Sequence, residues 1–159
     1  MPIKRNYNLV PLSKDHHSTL LFCWKIRTGL KLKVETDRMK RYVQYFWQAH
    51  MQPHFYEEET ILFVPIPDAA VKKALNEHAD IKAQIETIIA SENVEPLQFK
   101  MLADAVDNHV RYEERELFPH LENMLTEEQL KEIGNKLQTA ANDVCNDEFT
   151  DEFWKVCEL

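Results

Sequence analysis

Glycine is scarce in this chain: 159 residues contain only Gly29 and Gly134. Folds built from many short strands need frequent tight turns, so this scarcity argues against an all-β protein and for long helices. Cysteine is thin as well. Cys23, Cys145 and Cys157 make no C-x-x-C pair and no even-numbered framework, which excludes a disulfide-stapled scaffold and suits a reducing cytoplasm. No apolar run approaches the ~20 residues of a membrane span. The opening "MPIKRNYNLV" carries two basic residues without an apolar stretch behind them, so no signal peptide is expected and the expected location is cytoplasmic. Positive charge is in deficit too. A formal net charge of −8 repels phosphate backbones, so nucleic acid is not an expected partner, and without a spanning run neither is a membrane.

What is present suits a globular protein. Hydrophobic residues make up 44% of the chain and charged residues 29%, a balance that supports a core and a solvated surface. The length suits one domain, 1–159.

Apolar periodicity predicts the helices. Ser13 is a candidate cap for a first helix over about 14–33, with Leu20, Leu21, Trp24 and Thr28 along one side. A second helix is expected over about 36–63, where Val43, Trp47, His50, His54, Glu58 and Ile61 recur at three- and four-residue steps. Pro53 removes one hydrogen bond and crowds the carbonyl of Ala49, so a kink is expected around 49–53. "PIPDAA" ends that helix, and Asp68 caps a third with Val71, Leu75, His78, Ile81, Ile85 and Ile88 on one stripe. Pro96 opens a fourth, with Leu102, Val106, His109, Glu113, Leu117 and Leu121. Thr126 and Gln129 have capping-box spacing for a shorter fifth helix, which Gly134 weakens. The tail carries Phe149, Phe153 and Trp154, which pack either on the helices or on a second subunit, as in a homodimer or with another protein partner. The fold expected is all-α: an up-down-up-down antiparallel four-helix bundle with its core at about 12–122, then a short fifth C-terminal helix and aromatic tail over 126–159.

One pattern is written twice. "HFYEEETILF" begins at His54 and "HVRYEERELF" at His109; both read H-x-x-x-E-E-x-x-L-F. Histidine and glutamate four residues apart share one helix face and can reach one ion. Both pairs, His54/Glu58 and His109/Glu113, fall on the apolar stripe, where an ionised glutamate is costly unless paired or bound to metal. The third helix offers His78 inward, and the first offers His16 or His17. Aligning His78-x-x-Ile81 with His17-x-x-Leu20 favours His17, with its neighbour His16 as the alternative. The set is then His17, His54, Glu58, His78, His109 and Glu113. Four imidazoles and two carboxylates exceed one tetrahedral zinc site. They fit two ions joined by bridging carboxylates, with open positions left for solvent, an oxo bridge or a small diatomic ligand. The mixed nitrogen and oxygen donors suit iron or manganese, and zinc remains possible.

Several neighbours have plainer readings. His50, one turn before His54, packs or is exposed, with an outer donor or an extra ligand as the alternative. His120, near a helix end, is expected at the surface. Glu57, Glu59 and Glu114 form a solvated face, although Glu57 or Glu114 could bond a ligand imidazole. Tyr42, Tyr56 and Tyr112 are packing residues near the pocket. Cys23 is an inert buried thiol. Trp24 and Trp47 pack on the core and exclude water.

At these residues the chain resembles the hemerythrin-like, HHE cation-binding family, from about Leu12 to Leu121. The endings "EERELFP" and, loosened by one residue, "EETILFVP" belong to the resemblance. It implies a four-helix bundle with two non-haem iron ions, oxo- or hydroxo-bridged, that bind or react with oxygen, nitric oxide or peroxide. Oxygen-carrying hemerythrins are similar but have a second histidine on helix three, where this chain has Lys82, and end with H-x-x-x-x-D. The resemblance therefore points to the sensing, regulatory and iron-repair branches. Binding or sensing of oxygen, nitric oxide or redox state is the function implied. The alternatives are an enzyme that reduces peroxide or nitric oxide or oxidises ferrous iron, or an iron donor for damaged centres.

Overall fold

The computed structural model describes residues 4–63, 68–140 and 147–156. Every regular element among them is helical, and none is long and apolar enough to cross a membrane. A 3-10 turn, Tyr7–Leu9, leads into α1, Val10–Lys31. This helix starts earlier than Ser13 suggested. Pro11 sits in its first turn, where a fixed φ and a missing N–H are harmless, and the Asn6 side chain accepts from the Asn8 N–H to hold the turn before it. At the other end Lys33 takes φ 55°, and Val34 N–H donates to the Gly29 carbonyl at 3.0 Å. That bond and the one from Lys33 to Leu30 form a Schellman motif, which stops the helix without proline.

The second helix, α2, runs over 36–62 and is composite. Thr36–Phe46 and Gln52–Glu57 are α-helical; Trp47–Met51 and Glu58–Leu62 are π-turns. The disturbance expected at Pro53 is thus taken up by a π-turn just before it. Each π-turn inserts a residue without breaking the helix and moves the inward position along by one. Met51 and Leu62 are therefore buried, where the regular period had pointed to His50 and Ile61. Helix α3 is Ala69–Ala90, with the Asp68 side chain accepting from Ala70 N–H at 2.7 Å. The prolines of "PIPDAA" lie outside the described residues. The fourth run, α4, covers 96–124: Pro96–Tyr112, a π-turn at Glu113–Leu117, and Phe118–Met124. Helix α5, Glu127–Ala140, begins at a reciprocal Thr126/Gln129 box with bonds of 2.9 and 3.1 Å.

Neighbouring helices meet in a closed order. Helix α1 packs on α2 and most extensively on α4, and α3 packs on α2 and α4. Two apolar clusters fill the interior. One contains Leu12, Leu62, Ala74 and Leu117 and is covered by α5; the other contains Phe22, Met51, Ile81 and Val106. Along α1 and α3 the chain passes the first cluster and then the second, and along α2 and α4 it passes them in reverse. Between them, every one of these helices contributes buried histidine or glutamate.

The stripe expected on α1 is displaced by one residue. Leu21 and Trp24 are exposed, at 42% and 53%, so Trp24 does not pack on the core. The inward positions are Leu12, His16, Thr19, Cys23 and Ile26, a neighbouring stripe about 100° round the helix. Trp47 is buried as expected.

The aromatic tail packs on its own chain. Phe153 is buried and lies against Tyr42, with ring centroids 5.5 Å apart. Asp147 accepts from the Tyr42 hydroxyl at 2.5 Å and pairs with Lys25 at 2.9 Å, while Asp151 pairs with Arg38 at 2.6 Å. Gly29 makes room for Phe153: a Cβ there would lie 2.8 Å from the ring. Gly134 is likewise a point of close approach, since a Cβ there would run into the Asn8 side chain. Gly29→Ala should therefore destabilise the protein by about 1–3 kcal/mol through overpacking. In a Phe153→Ala background the same change should become neutral or stabilising by up to ~1 kcal/mol, as helix propensity then prevails. Urea unfolding of the four proteins measures this, and the same cost in both backgrounds would refute it.

Candidate metal centre

The layer between the two apolar clusters contains His16, His54, His78 and His109 with Glu58 and Glu113. The histidines are at most 4% exposed and both glutamates 0%. Their donor atoms converge in two groups, each within 4.8 Å: Glu58, His78, His109 and Glu113, and His16, His54 and Glu58. Glu58 belongs to both. Its Oε1 lies 2.8 Å from His54 Nε2 and 3.6 Å from His78 Nε2; Glu113 Oε1 lies 3.7 Å from His78 Nε2 and touches His109 Nε2. Despite these approaches, all four Nε2 atoms and all four carboxylate oxygens lack a hydrogen bond of acceptable geometry.

Here one expectation is corrected. His17 is exposed, and His16 occupies the cluster. Adjacent residues on a helix point about 100° apart, so only one can face inward. Aligning His17 with His78 selected the wrong stripe, the one that also carries exposed Trp24. The better signal was the apolar series Leu12, Thr19, Cys23 and Ile26, in register with His16. His54, Glu58, His78, His109 and Glu113 do lie together.

A ring of acids surrounds these donors. Asp15 on α1 accepts from His54 Nδ1 on α2 at 3.0 Å; Glu77 on α3 accepts from His109 Nδ1 on α4 at 2.8 Å; Glu114 on α4 accepts from His16 Nδ1 on α1 at 2.6 Å. Glu59 on α2 faces His78 Nδ1 on α3 at 3.5 Å, an ion-pair distance longer than a good hydrogen bond. Contacts thus run from α1 to α2, α3, α4 and back to α1. Each outer acid directly adjoins an inner donor in sequence: Asp15 and His16, Glu58 and Glu59, Glu77 and His78, Glu113 and Glu114. The angular step along a helix sends one of each pair to the core and the other towards the next helix. A carboxylate that takes the Nδ1 proton leaves the Nε2 lone pair facing inward and makes it more basic. Glu59 and Glu114 are therefore more than a solvated face, while Asp15 and Glu77 were not read from the sequence as partners of an imidazole.

Aromatic rings shield the layer. Phe55 stacks on His78 at 3.8 Å between centroids and meets the edge of Trp47; Phe118 stacks on His16 at 5.4 Å. Other residues stand back. His50 is half-buried beside Phe46 and Tyr45, and His120 pairs with Asp68 at 3.2 Å. Tyr112 donates to the Ala70 carbonyl, Tyr56 is exposed, and burial pushes the Cys23 thiol up to about 12. Lys82 is exposed and pairs with Glu86, 3.9 Å away on its own helix.

The charges here demand compensation. Burial pushes His54 down, but Glu58 and Asp15 outweigh it and hold the imidazole well above its usual value. Burial pushes Glu58 up, but the charge of His54 and the close approach of Glu113, His54 and His78 hold it well below. In the metal-free chain protons thus do part of a cation's work. For His109, burial acts downwards, yet Glu113 and Glu77 raise it from 6.5 to about 10. A raised folded-state value contributes stability that is fully present below about pH 6.5 and lost as pH rises towards 10. Glu58 works the other way: its contribution is present above 4.5 and lost as pH falls through its depressed folded value. Thermal unfolding of the metal-free chain should accordingly show a falling Tm from pH 7 to 10. A bound divalent cation should weaken or reverse that slope, because it displaces the protons; equal slopes with and without metal would contradict it.

The donor set suits hard-to-borderline divalent cations: imidazole and carboxylate, no thiolate, and unpartnered atoms aimed at one space. No curated protein and no solved structure gives a significant match to the chain. The sequence model of the hemerythrin HHE cation binding domain matches residues 12–121, a span that contains every inner donor and outer acid described above. The chain belongs to the hemerythrin HHE cation-binding domain family.

Proposed function

We propose that the chain is a single domain, 1–159, that holds two non-haem iron ions and binds or senses oxygen, nitric oxide or redox state through them. One observation carries this reading: four buried Nε2 atoms and two buried carboxylates, all without hydrogen bonds, converge in two groups that share Glu58. Leaving such groups uncompensated in an apolar interior costs several kcal/mol for each ion. The proposed ligands are His16, His54, Glu58, His78, His109 and Glu113. The alternating order of the two apolar clusters along successive helices supports an up-down-up-down bundle around them.

Two irons in this position would supply one-electron redox chemistry and open coordination positions for a diatomic ligand. The rest is done by the chain. Glu58 belongs to both groups and would be held in common by them. Asp15, Glu77 and Glu114 hold His54, His109 and His16 in the tautomer that presents Nε2 inward. Phe55, Phe63 and Phe118 pack beside the imidazoles and keep bulk water away. Lys82 adds no donor, which leaves coordination positions for an external ligand rather than a fifth histidine.

Protein reconstituted without air should hold two irons per chain and change its absorption reversibly on adding oxygen or nitric oxide. Less than about one metal per chain after reconstitution would sink the two-cation reading. Stoichiometric metal with steady turnover of peroxide and a reductant would replace sensing by catalysis. Metal analysis of two variants checks the ligand set: His16→Ala should lose iron and His17→Ala should keep it. Asp15→Asn and Glu77→Gln should each weaken metal binding by about 10–100-fold, the usual scale for outer carboxylates, in a competition titration.

A further inference from the structure

The family match begins at residue 12, yet a buried cation from before it reaches the ring of outer acids. The Arg5 side chain is 7% exposed. Its guanidinium donates to Glu114 Oε2 at 2.9 Å, to the Glu114 carbonyl at 2.6 Å and to Glu122 Oε1 at 2.9 Å. It also lies 5.2 Å from the centre of the Phe118 ring, on which His16 stacks. Glu114 Oε1 meanwhile accepts from His16 Nδ1. One carboxylate is therefore divided between an arginine and a ligand-set imidazole. Asp15, Glu59 and Glu77, its counterparts in the ring of outer acids, have no lysine or arginine at ion-pair distance among the described residues.

The donor groups are unequal in the same sense. The group around His78 and His109 contains both carboxylates, Glu58 and Glu113; the group around His16 and His54 contains only the shared Glu58.

We propose that Arg5, acting through Glu114, makes the His16/His54 half of the centre the weaker, exchangeable half, filled after the His78/His109 half and released before it. This rests on the reading of the cluster as a two-cation centre. Two effects act together. The guanidinium offsets part of the Glu114 charge that would otherwise favour a cation at His16, although the Nδ1 contact there, at 2.6 Å, is the shortest of the three. A desolvated positive charge behind that carboxylate also opposes a cation in front of it. On the other side, one more carboxylate adds negative charge, and no lysine or arginine among the described residues lies at ion-pair distance from Glu59 or Glu77. Arg5 is a positioning and tuning residue in this scheme. It gives the segment before α1 control over one of the two cation positions.

Zinc, which has no redox chemistry, is the probe. Calorimetric titration of the metal-free full chain should show two binding events, the second about tenfold or more weaker. Nitrogen-15 histidine NMR of the same titration should shift His78 and His109 with the first equivalent, and His16 and His54 with the second. Arg5→Gln keeps an amide donor for Glu114 but removes the charge. It should tighten the second event by about tenfold and leave the first unchanged, whereas Arg5→Lys should retain the weak second event. Circular dichroism reports whether the variants fold, and the order of filling in the unaltered chain is a test without any variant. Simultaneous shifts of all four histidines, filling of His16 and His54 first, or an unchanged or weakened second event in Arg5→Gln would overturn the proposal alone. No zinc binding at all would overturn the two-cation reading with it.

Discussion

The structure depends on a layer of ionisable side chains set across the middle of an apolar interior. Glu58 and Glu113 are fully buried, and four imidazoles are nearly so. Such a layer is tolerable only if each charge finds a partner and each donor is aimed. Its demands account for the surrounding architecture. Aromatic rings close both sides, the apolar core is split in two, and acids from adjacent helices hold the far side of the imidazoles.

The ring of outer acids links the helices to one another. Each contact joins two helices that already pack together, so aiming an imidazole and pinning a helix pair are the same interaction. The two π-turns that begin at Glu58 and Glu113 belong to the same solution. They widen the helix where a buried carboxylate must point inward, and each ends on a buried leucine, Leu62 or Leu117. The Arg5 contact extends this network beyond the residues that the family match covers.

Much of this was legible in advance. The repeated H-x-x-x-E-E-x-x-L-F, the caps at Asp68 and Thr126 and the inward stripe from Leu102 to Leu121 depend on spacings of three and four residues, which are local properties of a helix. The choice between His16 and His17 was not settled that way. Both lie within reach of an apolar stripe, and the exposed Trp24 made the wrong one look richer. The π-turns were hidden because proline announces a disturbance without saying whether the helix kinks or widens. Asp15 and Glu77 were hidden because an acid on a helix flank looks solvated until a neighbouring helix places an imidazole against it.

The amino-acid order by itself determined the helical class, the positions of most inner donors and the family, since each follows from periodicity and residue type along one helix at a time. Only the tertiary structure decided which histidine of α1 enters the centre, which acids hold the imidazoles, and where the tail aromatics pack. Those outcomes depend on the rotation of each helix relative to its neighbours. That rotation is chosen by the packing of all the helices together, and no single stretch of sequence encodes it.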